Sequence, residues 1–156
     1  MSEPTPTKPR PLPALQGFTQ QFYDWCRQGE LRFQRCDACG TWRHVPREIC
    51  ARCGSFAWAW ARSSGRGRVF TWTVVVRALH PAFTADAPYA PVVVEMEEGV
   101  RVVSLMLDCA PDELRIDMPV EVVFEAVTPE ITLPKFRRAS EPPRSSASLH
   151  PKGPTR

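Results

Sequence analysis

The chain has 156 residues, 43% of them hydrophobic, so it can bury one compact core but is too short for two full domains. It contains no run of about 18 apolar residues and no apolar stretch near its N-terminus, which argues against membrane insertion and secretion and favours the cytoplasm. The net charge of +3 is unevenly distributed, because residues 69–136 carry 4 basic and 11 acidic side chains, a net charge of −7. This acidic half argues against nucleic acid as a partner.

A short amphipathic helix is the first predicted element, within a helical segment at 16–32. Its apolar side chains recur at steps of three and four residues before a glycine ends it: Phe18, Phe22, Trp25, Cys26 and Gly29. The apolar stripe has two interpretations, packing on the chain's own fold or docking a partner. The flanking residues 1–15 and 137–156 are rich in proline and polar side chains, and we expect both to be disordered tails.

Two CxxC pairs, separated by ten residues, follow the helix within residues 33–62. Each pair is followed by glycine, and the four thiols are those of Cys36, Cys39, Cys50 and Cys53. Four sulfurs at tetrahedral geometry favour zinc, with iron at a rubredoxin-type site as the competing interpretation. Because the protein fills every position, the spacing predicts a structural zinc ribbon with no open coordination site for a substrate. His44 lies in the loop between the pairs, where it could replace a cysteine only if one were not a ligand.

The other potentially reactive side chains lack partners in the sequence. Cys26 and Cys109 lie among apolar neighbours and are interpreted as packing residues. His80 is an isolated loop histidine, with no Gly-x-Ser-x-Gly motif to suggest a catalytic triad. No catalytic residue is therefore predicted.

Residues 63–136 have the alternating pattern of β-strands. Strands are predicted at 69–77, 89–97, 100–107 and 119–127, with a shorter one at 131–136. Glu98 and Gly99 are placed to turn a hairpin, residues 110–119 to form a helical turn, and Pro91 to start its strand or lie on an edge. Four clear strands and one shorter one predict a small five-stranded barrel, so that the fold class is mainly β.

Several motifs occur together in one order and carry a family resemblance. They are Phe22 and Trp25, Gly29-x-Leu31, Gln34-Arg35-Cys36, Cys39-Gly40, Pro46-Arg47, Cys50, Cys53-Gly54-Ser55, Trp60, Ser64-Gly65-x-Gly67-x-Val69, Pro88-Tyr89, Val94-Glu95, Glu98-Gly99 and Pro134-x-Phe136. Over residues 18–136 the chain resembles the acyl-CoA-associated OB-fold family, in which a rubredoxin-like zinc ribbon precedes an OB barrel. The resemblance therefore implies that the predicted five-stranded barrel is an OB-fold. Val45 before Pro46, and Pro91 within a predicted strand, depart from the family pattern.

The resemblance implies a non-catalytic subunit of a thiolase-like acyl-CoA enzyme, which would be an aldolase, thiolase or acyltransferase. Family partners include steroid side-chain aldolases and MaoC-type hydratases, which link the family to lipid and steroid metabolism. The reactive groups then lie on the partner, and the small subunit helps hold the CoA thioester. The contacts expected on this chain are Phe22 and Trp25 for a partner, and Arg35 and Arg47 for a partner or CoA phosphates. Fold analogy and the basic tails leave a single-stranded nucleic-acid-binding module as the alternative function.

Overall fold

A computed structural model describes residues 9–140. The elements follow in the order α1 (Gly17–Arg27), β1 (Arg32–Cys36), β2 (Trp42–Arg43), β3 (Trp58–Arg62), β4 (Arg66–Trp72), β5 (Pro91–Met96), β6 (Arg101–Leu105), β7 (Pro119–Ala126) and β8 (Thr132–Arg138). Short 3-10 turns occupy Pro81–Asp86 and Pro111–Glu113. One helix and eight strands confirm the predicted mainly-β class.

The first three strands form a small antiparallel sheet in the order β2-β1-β3. Gln34 on β1 is opposite Arg43 on one side and Trp60 on the other, so the three residues form one row across the sheet. Phe18 of α1 packs edge-on against Trp58, and Gln21 accepts a 2.8 Å hydrogen bond from the indole of Trp60. These contacts fasten the helix to the small sheet.

The remaining five strands form the second antiparallel sheet, in the order β6-β5-β4-β7-β8. It curls until its two outer strands meet, because Met106 and Phe136 form a parallel bridge and the Leu107 amide donates to the Phe136 carbonyl at 2.7 Å. The Ser104 hydroxyl donates to the Pro134 carbonyl at the same seam, also at 2.7 Å. The result is the curled half-barrel expected of an OB-fold, and the predicted fold is confirmed.

One continuous core joins the helix and the barrel. Its buried side chains are Phe22, Cys26, Leu31, Phe33, Val69, Val92, Val94, Met96, Val100, Val102, Leu114, Val120 and Phe136. Helix α1 packs on β1 and on β8, so its buried side enters the same core. The apolar stripe of the helix therefore packs on the chain's own fold, which is the first of its two interpretations.

The close approach of strands β4 and β5 explains why residue 67 is a glycine. A Cβ atom added to Gly67 on β4 would lie 2.5 Å from the Glu95 carbonyl oxygen and 2.8 Å from a Val94 methyl group. Any larger side chain would push β4 away from β5. In the turn that follows β5, Gly99 has φ +80° and its amide donates to the Met96 carbonyl, which confirms the predicted turn.

The predicted strand at 69–77 is wrong at both ends. Strand β4 begins at Arg66 and ends at Trp72, and the chain then runs irregularly to Pro91. The apolar residues of 73–77 have high strand propensity, but only Val75 pairs there, as an isolated bridge to Tyr89. Regular pairing of β4 ends with β7 at Arg68 and with β5 at Trp72, so the residues beyond Trp72 have no neighbouring strand along their length.

The other predicted strands are found with shifted ends. Strand β5 starts at Pro91, a position where the missing amide costs no central ladder bond, as predicted. The helical turn predicted at 110–119 is shorter, covering Pro111–Glu113. Strand β8 continues to Arg138, two residues past the predicted end of the barrel. The predicted division of the chain into a helical segment (16–32), a zinc ribbon (33–62) and a barrel (63–136) stays a prediction. Most of the two predicted tails lies outside the described residues.

Candidate metal centre

The four cysteine sulfurs converge on one point. The Sγ atoms of Cys36, Cys39, Cys50 and Cys53 all lie within 4.8 Å of one another. Two of the separations are 3.6 Å, between Cys36 and Cys53, and 3.7 Å, between Cys39 and Cys50. Four sulfurs placed about 2.3 Å from a tetrahedral zinc ion are about 3.8 Å apart, so the cluster has the size that zinc requires.

Each CxxC pair is folded by the same backbone turn. The Gly40 amide donates to the Cys36 carbonyl at 2.9 Å, and the Gly54 amide donates to the Cys50 carbonyl at 2.8 Å. Both glycines have positive φ, +71° and +74°, a region that side chains disfavour. The glycine after each pair is therefore required by the turn that brings its two sulfurs together.

The electrostatics of the cluster favour a bound cation. The Thr41 hydroxyl, whose oxygen lies 3.1 Å from the sulfur, lowers the pKa of Cys39 to about 6. At Cys53 the Ser55 amide favours the thiolate, but the Cys39 sulfur and desolvation outweigh it and raise the pKa to about 12. Neighbouring thiolates repel one another at these distances, and a bound divalent cation removes this electrostatic repulsion.

The position of the site fits a structural metal. Cys36 and Cys50 are buried, Cys39 is half-buried, and only Cys53 is exposed. Four protein sulfurs complete a tetrahedral shell, which leaves no coordination position for water or substrate. When zinc is bound, it would join the turn after β1 to the loop before β3 and so fix the fold of the ribbon.

His44 has a packing role instead of a metal-binding one. Its ring lies 5.4 Å from the ring of Phe22 and 5.3 Å from that of Phe33, between the helix and the ribbon. Burial lowers its pKa, so the imidazole is held neutral in the core. The group of potential metal ligands found among residues 9–140 contains the four cysteines and no histidine.

The predicted contact residues are not brought together in one surface. Phe22 is 6% exposed and belongs to the core, whereas the ring of Trp25 is covered by the Arg32 guanidinium at 3.9 Å. Arg35 lies on the outside of the ribbon, 5.5 Å from the ring of Trp42. The Arg47 side chain is exposed, and its amide donates to Gln34 Oε1 at 2.8 Å. Their roles as partner or CoA contacts stay predictions.

The remaining candidate side chains have structural partners. Cys26 is fully buried, and desolvation raises its pKa to about 12. Cys109 lies 3.6 Å from an Arg138 nitrogen. The ring nitrogen Nδ1 of His80 accepts from the Ala82 amide at 3.2 Å and caps the turn at Pro81–Asp86.

Sequence reasoning missed a polar pair buried in the ribbon. Gln34 is fully buried, and its Nε2 has no hydrogen-bond partner among residues 9–140. The three guanidinium nitrogens of Arg43, opposite Gln34 in the sheet, are likewise buried and without a partner there. The alternation of a strand is the signal that could have found them, because it places both side chains on the face that also carries Trp60.

A four-thiolate ribbon followed by a curled five-stranded barrel defines a zinc-ribbon and OB-fold protein. Two family models match these parts in succession. The model described as "ChsH2, rubredoxin-like zinc ribbon domain" matches residues 26–59, and "ChsH2, C-terminal OB-fold domain" matches residues 60–125. The chain belongs to this ChsH2 family, which confirms the resemblance found in the sequence.

Known relatives extend the match beyond the two family models. A probable enoyl-CoA hydratase alpha subunit from Thermomonospora curvata is 40% identical over 141 residues, which are 88% of this chain and 44% of that protein. A DUF35 domain-containing scaffold protein from Methanocaldococcus jannaschii is 37% identical over 94 residues, 60% of this chain and 66% of that protein. The chain thus spans less than half the length of the first relative.

A solved structure supports the same assignment. A chain of the Ltp2-ChsH2(DUF35) aldolase superposes with a TM-score of 0.75 at 39% identity, covering 83% of this chain and 100% of that one. Within residues 9–140, no helix has the length and apolar character needed to cross a membrane.

Proposed function

We propose that this chain is a non-catalytic subunit that binds and supports a thiolase-like acyl-CoA enzyme, an aldolase, thiolase or acyltransferase, and helps hold its CoA thioester. The observation that carries the proposal is the similarity to a complete chain of an aldolase, at 39% identity and a TM-score of 0.75. The scaffold name of the methanogen relative supports the same kind of role. Relatives named as hydratase alpha subunits support a MaoC-type hydratase as a second class of partner, and the cysteine-bound zinc favours the reducing cytoplasm.

The chemistry of the chain's own side chains fits an auxiliary role. The metal site is closed by four sulfurs, and His80 and Cys109 are held by a helix-capping bond and by Arg138. A nucleophile and its base need to lie about 3 Å apart, and these two side chains instead contact other groups. The reactive groups are therefore placed on the partner in this proposal.

The surface offered to the partner lies on the irregular segment between β4 and β5. Because Phe22 and Cys26 are buried, helix α1 offers fewer apolar side chains than its sequence suggested. In the segment 73–90, by contrast, Val76 is 78% exposed and Leu79 is 99% exposed. Exposed apolar residues close together are typical of protein interfaces. We propose that this segment, named the β4–β5 segment, docks on the thiolase-like subunit.

Co-expression with a thiolase-like subunit, chosen from the genes beside that of this chain, tests the proposal. Size-exclusion chromatography with light scattering should give one peak that contains both proteins. The variants Val76→Ser and Leu79→Ser should weaken the complex about tenfold or more, because each removes an apolar side chain from the interface. Ile116→Ser is the matched control, since Ile116 is 58% exposed outside the β4–β5 segment.

Each variant must first show a wild-type zinc content and melting temperature, so that the effect is on binding alone. Separate elution of the two wild-type proteins contradicts the proposed function. A complex that Ile116→Ser weakens as much as Leu79→Ser contradicts the placement of the interface.

A further inference from the structure

The outer edge of strand β3 is unpaired within the described residues. β3 lies at one end of the sheet β2-β1-β3 and pairs with β1 alone among residues 9–140. The Asp37 amide donates to the Ala57 carbonyl at 3.0 Å, and the Ser63 amide donates to the Leu31 carbonyl at 2.8 Å. These two bonds bracket the strand. Because hydrogen-bonded positions alternate along an antiparallel ladder, the odd-numbered residues of β3 turn their backbone groups toward β1.

The even-numbered residues of β3 turn their backbone groups to the outer edge. Their amides and carbonyls have no hydrogen-bond partner in the part of the chain that the structure describes, and they belong to Trp58, Trp60 and Arg62. The side chains of Ala59 and Arg62 are exposed, which leaves the edge open to solvent. β3 therefore offers donors and acceptors at the spacing of a strand ladder.

This edge lacks the features by which edge strands usually avoid pairing. Such strands are commonly very short, charged, bulged or interrupted by proline. At the other end of the same sheet, β2 has only the residues Trp42–Arg43, and β6 and β8 of the barrel meet at their seam. Residues 56–61, by contrast, read Phe-Ala-Trp-Ala-Trp-Ala, without a charge or a proline. An edge of this composition is expected to be covered by another strand.

We propose that the β3 edge pairs with the same edge of a second copy of this chain, so that two zinc ribbons form one continuous antiparallel sheet. The strand order is then β2-β1-β3 followed by β3-β1-β2 of the second copy. Pairing of identical edges about a two-fold axis gives a closed dimer. The β3 edge is separate from the β4–β5 segment, and the inference goes beyond the proposed function without depending on it.

One register of the two strands uses every outward backbone group. With Trp60 opposite Trp60 of the second copy, Trp58 lies opposite Arg62 and Arg62 lies opposite Trp58. Each opposed pair exchanges two hydrogen bonds, so the edge gains about six bonds. Sliding one strand by two residues removes one of these pairs, which leaves the symmetric register as the best satisfied.

The side chains at the edge complement one another in this register. The Arg62 guanidinium is placed beside the Trp58 indole of the second copy, and contact between arginine and tryptophan is attractive. Arg62 makes no ion pair with any residue between 9 and 140, so its side chain is available for this contact. The two Arg62 positions are about 13 Å apart along the strands, a distance at which salt screens exposed charges. On the other face, the small side chains of Ala59 and Ala61 let the strands approach. This complementarity favours a second copy over an unrelated strand.

Sedimentation velocity of the full, zinc-loaded chain in reducing buffer tests the pairing. Two short strands bury less surface than a standard interface of about 1,600 Å², so we expect a dissociation constant near ~100 µM. The sedimentation coefficient should therefore rise from the monomer value toward the dimer value between about 5 and 500 µM. Over the same range, amide hydrogen exchange measured by NMR should slow at Trp58, Trp60 and Arg62, the amides that gain bonds.

Two variants act on the edge by different means. Arg62→Glu should weaken the dimer about tenfold, because a carboxylate replaces the cation beside each indole. Ala59→Lys should weaken it by about the same factor, since it places like charges at diagonal positions across the two-fold axis. Arg68→Glu is the matched control, because Arg68 is an exposed strand arginine of the barrel and makes no ion pair among residues 9–140. Each variant must match the wild type in zinc content and melting temperature, and either edge variant suffices for the test.

The inference is overturned if the chain stays monomeric at the highest concentration, or if a dimer forms without slower exchange at Trp58, Trp60 and Arg62. It is also overturned if Arg68→Glu weakens the dimer as much as Arg62→Glu. Slower exchange at these amides only in the complex with the thiolase-like subunit would assign the edge to a strand of that enzyme and overturn it as well. A complex with the enzyme but no dimer rejects the β3 pairing alone, whereas a dimer that binds no enzyme rejects the proposed function alone.

Discussion

Replacing Gly67 by alanine tests the close approach of β4 and β5 on which the barrel depends. The added Cβ would lie 2.5 Å from the Glu95 carbonyl oxygen and 3.1 Å from the Met96 Cα, both of them backbone atoms. Neither atom belongs to a flexible side chain, so the two strands must separate locally to accept the methyl group. Forced overpacking of this kind costs about 3 kcal/mol. At this chain length, that loss should lower the melting temperature by about 10 °C.

The matched control is Gly99→Ala. Gly99 also lies in the barrel, but a Cβ added there has no atom within 4 Å, so only its φ of +80° opposes the substitution. That conformational cost is about 1 kcal/mol. Thermal unfolding followed by circular dichroism in excess zinc should therefore rank the wild type above Gly99→Ala, and Gly99→Ala above Gly67→Ala. A Gly67→Ala protein as stable as Gly99→Ala would refute the packing described for β4 and β5.

Three further changes have defined outcomes. Cys39→Ser should reduce the metal content well below one zinc per chain because one tetrahedral ligand is weakened, whereas Cys109→Ser should leave it unchanged; elemental analysis decides, and full zinc in Cys39→Ser would contradict the four-sulfur site. Phe136→Ala should lose about 3–5 kcal/mol of unfolding free energy in urea, because its ring is fully buried at the barrel seam, while Phe56→Ala, 68% exposed, should lose less than about 0.5 kcal/mol; equal losses would contradict the seam. In thiol labelling of the native, zinc-loaded protein at pH 8, Cys26→Ala should not change the number of reactive thiols, since burial raises the pKa of Cys26 to about 12, and a lower count would contradict its burial.

The metal site was predictable from the sequence because its determinants are local. Two CxxC pairs, each ended by a glycine, specify both the ligands and the turns that present them, and the four sulfurs are found together. Most strands of the barrel were predictable for a similar reason, since alternation along a strand identifies its buried face.

The parts that sequence reasoning missed depend on contacts between distant segments. The apolar residues 73–77 favour a strand, yet regular pairing ends at Trp72, because neither β5 nor β7 extends alongside them. The stripe on α1 fits either the core or a partner, and only the packing of Phe22 and Cys26 distinguishes the two. The cleft between the ribbon and the β5–β6 turn likewise combines residues 41–52 with residues 99–101, a juxtaposition that no local pattern encodes.

The central claim is that this chain acts by supporting a separate acyl-CoA enzyme. Its most direct test is the turnover of an acyl-CoA by the co-expressed thiolase-like subunit, measured with and without the full, zinc-loaded chain, and by the chain alone. The account predicts that the complex is active, that the enzyme loses activity when the chain is removed, and that the chain alone has none. Full activity of the enzyme without the chain, or turnover by the chain alone, would contradict it.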